Sequence, residues 1–297
     1  MNKFYLHTVS FLSKHRNGLL LFLLFWVCVF TAFAVRTYHY NTAVYELNAM
    51  IEDIPVKERD PEPGFFKKFL PYYHKNFSPF TIESAMMYSY SKDIALGKGV
   101  RKEDPALCGI EDIPPYAQMN MGLEWFLGWG WKIKNAIFPD SEASPRQELF
   151  QDYPYMAQWM SSQLRFWASL TSGFVFLWLI MLRCPKLPAL YGGLLHAVSL
   201  AAVARSTGQD FVRGEFCIPL ITATIVLAYS IYKKPAAWKY VLIFLTAFLA
   251  FVTWDLCQML FGTWICFELL RFFLGRPMPA PRRNAWICIA AAILLNA

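Results

Sequence analysis

Charge is scarce in this chain: Asp, Glu, Lys and Arg make up 16% of its 297 residues, against roughly a quarter in an ordinary soluble domain. That shortage, beside 56% apolar residues, argues against a soluble globular protein. The net charge of +7 does not point to nucleic acid, because basic residues sit around apolar runs and no nucleic-acid-binding module is visible. Zinc spacing is also missing. Of seven cysteines, Cys28, Cys184, Cys217, Cys257, Cys266 and Cys288 lie in or beside apolar runs, and only Cys108 lies in a polar stretch. This pattern gives neither a disulfide framework nor a cysteine metal site. Internal repeats and low-complexity tracts are absent.

What the chain does have is long apolar runs. A spanning helix needs about 20 mostly apolar residues to cross roughly 30 Å of hydrocarbon. Six stretches approach this, from Gly18 to Val35, Gln163 to Leu182, Leu187 to Ala204, Phe216 to Tyr232, Trp238 to Trp254, and Leu256 to Leu274. A seventh, Ala285 to Ala297, covers only about 20 Å at 1.5 Å per residue and is expected to belong to a longer element. The small-residue triplet Ala32-Phe33-Ala34 also fits a secretory cleavage site. The aromatic-rich run before it is longer than the usual core of a signal peptide, so an uncleaved anchor is expected.

The expected fold class is therefore an all-α polytopic membrane protein, with about six to seven transmembrane helices and a long, partly helical exported loop after the first. Three regions follow: a cytoplasmic tail with the first helix (1–36), the exported loop (37–160), and a helical bundle (161–297) whose last helix is incomplete. Lys/Arg near helix ends stay cytoplasmic. Alternating helices from a cytoplasmic N-terminus places Lys3, Lys14, Arg16, Arg183, Lys186, Lys233, Lys234, Lys239, Arg271, Arg276, Arg282 and Arg283 on one side. The loop on the other side carries 12 basic and 17 acidic residues. The localisation implied is a bacterial-type inner or plasma membrane. Within the loop, Ile82 to Leu96 reads as a helix, with Thr81 as N-cap, Glu83 in its first turn and Gly97 as its stop. Tyr116 to Phe138 mixes Trp, Leu and Phe with Glu124, Lys132 and Lys134, which suits a helix lying on the membrane surface.

Candidate chemistry sits on the exported side. In Arg205-Ser-Thr-Gly-Gln-Asp210-Phe-Val-Arg213-Gly-Glu215, acid and guanidinium groups meet at a bundle mouth, an environment able to hold a divalent cation with an anionic diphosphate. Asp210 and Arg213 are equally readable as an i,i+3 ion pair at a helix start. Asp255 and Gln258 stand one turn apart on the same side, and as turn residues in a hairpin they need no function. Glu83 is preferred to Asp93, which sits beside Lys92 and reads as part of a solvated face. Glu268 and Arg271 read as a structural pair at the cytoplasmic face. His196, alone in an apolar helix, reads as hydrogen-bonded to a neighbouring helix.

Together these pieces resemble a family. One anchor helix precedes a long loop bearing Thr81-Ile-Glu83-Ser-Ala-Met-Met-Tyr-Ser-Tyr90, and a short outer loop bears Arg-Ser-Thr-Gly-x-Asp before an apolar helix with an early Pro219. This resembles the GT-C membrane glycosyltransferases, most closely the helical core of the oligosaccharyltransferase catalytic subunit. The resemblance implies transfer of a sugar from a polyprenyl-phosphate or polyprenyl-diphosphate donor. It assigns Glu83 and Asp210 as catalytic residues and, with Glu215, as ligands of a divalent cation (Mg2+ or Mn2+). Arg205, Arg213, Asp255 and Gln258 would bind the lipid-linked donor. The chain departs from the family in having one aspartate where DxD or ExD is common, and in lacking a Trp-Trp-Asp motif. A transporter or flippase-like carrier and a non-catalytic membrane scaffold are the competing functions.

Overall fold

A computed structural model describes residues 3–50, 64–71, 82–101, 120–139, 154–276 and 278–296, with side chains described for 17–46, 64–71, 84–101, 120–139, 155–276 and 278–296. The described residues are helical and contain no strand. The main helices are α1 (Lys3–Met50), α2 (Ile82–Ala95), α3 (Gly122–Ile137), α4 (Pro154–Met181), α5 (Lys186–Val198), α6 (Arg213–Lys233), α7 (Ala237–Phe251), α8 (Leu256–Phe273) and α9 (Ala280–Leu294). Single turns at Phe65–Phe69 and Leu200–Val203 supplement them.

Four helices are long and apolar enough to cross a membrane: Asn17–Glu46, Tyr155–Met181, Arg213–Lys233 and Leu256–Phe273. Their outer surfaces expose large apolar side chains such as Phe22, Phe30, Met259 and Phe273, the last 80% exposed. Apolar area on this scale is costly in water and ordinary against lipid. Inside, one cluster joins α3, α4, α6, α7 and α9 through Leu127, Met160, Phe216, Ala247, Phe251 and Ile289. A second, around Cys28, Phe176 and Ala189, joins α1, α4 and α5. Small residues permit that contact: a Cβ on Gly193 would lie 2.7 Å from Cys28 Sγ.

The first helix does not stop near Val35. No proline or glycine occurs between Arg36 and Met50, and the buried Tyr40 and Val44 extend its packed face. The third expected span, Leu187 to Ala204, is discontinuous. α5 ends at Val198, Ser199 turns extended (ψ 126°), and only one further turn follows. Arg36 Nη2 donates to Ala202 O (3.0 Å), as does the Ser206 hydroxyl, so that carbonyl is satisfied without a continuing helix. α7 has 15 residues, about 22 Å of helix, and is one of the shorter apolar elements.

The helix expected on the membrane surface packs onto the protein. α3 buries Leu123, Glu124, Leu127, Gly128 and Trp131, and turns Trp129, Ile133 and Ile137 outward. Gly128 sets the close approach to α2, since a Cβ there would lie 2.6 Å from Ile94 Cγ2. Asp93 on α2 is buried and salt-bridged to Arg101 at 2.9 Å, rather than part of a solvated face.

Basic residues gather at one end of the bundle. Lys186 Nζ donates to Asn17 Oδ1 (3.1 Å) and Lys233 Nζ to Met181 O (2.7 Å), where a cation suits the exposed carbonyls of a helix C-terminus. The opposite end gathers the polar loops.

Candidate functional site

The centre of that opposite end is the connection from Ala204 to Val212. Although irregular, it buries Ser206, Thr207, Gly208 and Phe211, so its backbone needs internal partners. Two buried arginines, one from each of α1 and α4, hold it. Arg36 of α1 donates through Nε to Ser206 Oγ (2.8 Å) and through Nη1 to Ala32 O (3.2 Å). Arg165 of α4 donates through Nη1 to Ser161 Oγ (2.9 Å) and stacks its guanidinium 4.0 Å from the Tyr40 ring centroid. Ser161 in turn donates to Gly208 O (2.6 Å). Gly208 takes φ +84°, a left-handed backbone that glycine adopts without penalty.

The segments carrying α2 and α3 close over this connection. Phe211 N–H donates to the buried Ser84 Oγ of α2 (2.8 Å), and the Phe211 ring meets Tyr88 edge-on. Arg213 at the start of α6 salt-bridges Glu124 of α3, Nη2 to Oε1 at 2.6 Å, with the Glu124 side chain fully buried. Burial pushes the Glu124 carboxyl above its ordinary value, and the Arg213 charge opposes this. Its Oε2 is buried without a hydrogen-bond partner among the described residues. Gly122 N–H donates to Val252 O (2.9 Å), and Asn120 Nδ2 donates to Phe251 O (2.8 Å) and to the Asp255 carboxylate.

The residues singled out in the sequence fall as follows. Glu83 lies in the first turn of α2, beside Ser84, and its side chain is outside the described residues. Asp210 is half-buried one residue before Phe211 and forms no ion pair among the described residues. The i,i+3 alternative does not form, because Arg213 turns to Glu124 instead. That salt bridge also makes Arg213 an anchor for α3 rather than a group poised for a donor phosphate. Arg205 is exposed. Glu215 is half-buried and feels the positive charges of Arg36 and Arg205. Asp255 is exposed beside Asn120, while Gln258 lies exposed on α8 next to Met259. His196 accepts or donates a hydrogen bond through Nδ1 with Ser172 Oγ of α4 at 2.9 Å.

Of the divalent-cation trio, the Glu83 side chain lies outside the described residues. Arg36 and Arg205 act on Glu215 through their charge, and among the described residues no three His, Cys, Asp or Glu side chains are grouped to hold a metal. Sequence reasoning missed Arg36 and Arg165. The available signal was a charged residue inside an otherwise apolar helix, which by itself marks a candidate site.

Neither protein-family models nor curated proteins match this sequence.

Proposed function

We propose that the chain is an integral-membrane glycosyltransferase of GT-C type, or the helical core of one, acting on a polyprenyl-phosphate or polyprenyl-diphosphate sugar. The observation carrying this reading is the Phe211 N–H to Ser84 Oγ bond, which joins the immediate neighbours of Asp210 and Glu83 across 127 positions. The donor tail lies in lipid, and its head lies at the end holding the polar loops. Arg205, exposed at the edge of the connection, binds the phosphate through charge-assisted hydrogen bonds. In the transfer step the bond from the sugar anomeric carbon to the phosphate oxygen breaks. A bond from that carbon to an acceptor oxygen or nitrogen forms, and the acceptor proton passes to Asp210 or Glu83. The phosphate leaves with the electron pair and is stabilised by Arg205. The same reading sets the basic end in the cytoplasm of a bacterial-type inner membrane and the loop end outside.

The test is release of labelled sugar from a polyprenyl donor by the purified protein in liposomes. Asp210→Asn and Glu83→Gln are each expected to lower the rate about 100-fold while the protein stays folded; unchanged rates would end the proposal. One observation favours a carrier instead: the third pass is broken at Ser199, with the buried Arg36 bonded just beyond the break. A carrier would move the intact lipid-linked sugar across the same liposome membrane without cleaving it.

A further inference from the structure

At the basic end, remote from the polar loops, Glu268, Arg271, Arg276, Met278 and Arg282 line a shallow, open cleft between α8 and α9 whose interior is too tight to admit a water molecule. Glu268 is buried and is paired not with Arg271, as its i,i+3 spacing suggests, but with Arg282 of α9. One carboxylate therefore stands among three guanidinium groups, leaving an excess of positive charge. Arg282 is further held by the Tyr232 ring, 5.1 Å from its guanidinium carbon, and its Nε is buried without a hydrogen-bond partner among the described residues. Arg276 is exposed and Arg271 half-exposed at the rim.

The surroundings identify the anion. The cleft lies at the end of α8, a candidate membrane span only 17% buried, where lipid phosphates reside. Leu269, Leu270, Phe272 and Phe273 expose their side chains beside it, a surface suited to an acyl chain. A guanidinium offers two parallel N–H donors to phosphate oxygens, and basic clefts between spanning helices capture lipid headgroups on this principle.

We propose that the phosphate of an anionic membrane lipid binds at the mouth of this cleft, with Arg271 and Arg276 contacting the headgroup from the rim and the Glu268–Arg282 pair lying beneath them. Such a lipid would tie α8 to α9. The site is separate from the transfer chemistry proposed above.

The test uses the full chain in mild detergent, with phosphatidylglycerol, phosphatidylcholine or inorganic phosphate added, and lipid retention by native mass spectrometry and thermal stability as readouts. Phosphatidylglycerol is expected to be retained and to raise stability. The R271A/R276A double variant, which keeps Glu268 and Arg282, is expected to bind it about 10- to 30-fold more weakly. Arg283→Ala, exposed and outside the cleft, serves as control and is expected to bind like the parent. Equal retention by R271A/R276A and the parent overturns the proposal, as does equal stabilisation by phosphatidylcholine. Stabilisation by inorganic phosphate with none by phosphatidylglycerol assigns the cleft to a soluble anion and overturns the lipid assignment. Loss of sugar transfer in Asp210→Asn has no bearing on these outcomes, so this site and the proposed activity fail independently.

Discussion

Replacing Glu124 with alanine is expected to destabilise the protein by about 3–5 kcal/mol, because it strands a desolvated guanidinium. The Arg213–Glu124 contact joins α3 to α6 with one partner fully buried and the other only 14% exposed. Denaturant titration in detergent would measure the loss, and proteolysis would show α3 loosening from the bundle. Replacing both partners with apolar residues of similar volume, Glu124→Leu with Arg213→Met, is expected to recover part of the loss, since no lone charge then remains buried. A single variant as stable as the parent would remove the pair from the account of how α3 is held. The same residue predicts a pH dependence. Burial raises the folded-state pKa of Glu124 above its ordinary value of 4.5, so the folded protein binds that proton more tightly than the unfolded chain does. The resulting stabilisation is complete below the ordinary value and is lost as pH rises through the elevated one. The stability difference between the parent and Glu124→Gln is therefore expected to shrink or reverse in the parent's disfavour as pH climbs from the acidic side.

That pair also shows where the sequence stops being readable. The four spans were legible as long apolar runs, and the two-ended distribution of charge was legible from Lys and Arg near the helix termini. Both signals are local, and a hydrocarbon slab rewards them directly. The break at Ser199 was not legible. Its neighbourhood is mostly apolar, with His196 and Ser199 its polar residues, and the Arg36 bond to Ala202 O just beyond it comes from 166 positions away. Glu124 shows a similar limit: nothing in its amphipathic stretch points to a partner 89 positions later. Asp93 was misread because its adjacent Lys92 drew attention from Arg101. At the candidate site, the nearness of the segments bearing Glu83 and Asp210 was expected from a resemblance rather than from spacing. The Ser84 hydroxyl that joins those segments gave no signal of its own, since a serine in the first turn of a helix is ordinary.

Gly208→Ala provides the second large effect and separates two physical causes. The left-handed backbone at φ +84° costs an alanine about 1–2 kcal/mol. The new Cβ would also lie 2.6 Å from Ser161 Oγ and 2.7 Å from Ser161 O, an overpacking expected to cost about 1–3 kcal/mol more. Gly99 isolates the first contribution: its φ is +75° and nothing lies within 4 Å of a Cβ built there. Gly99→Ala should therefore lose only the backbone share. Adding Ser161→Ala to Gly208→Ala should restore little, because the Ser161 carbonyl remains in the way and the hydroxyl's bond to Gly208 O is lost as well. Because Asp210 and Phe211 follow two and three residues later, any relaxation of the connection is transmitted to the Ser84 contact. Sugar release by Gly208→Ala is then expected to fall further than its stability loss accounts for at a temperature where the variant remains folded. Equal stability of Gly208→Ala and Gly99→Ala would show that the Ser161 contact yields freely, and the buried connection would lose its claim to hold Asp210 in place.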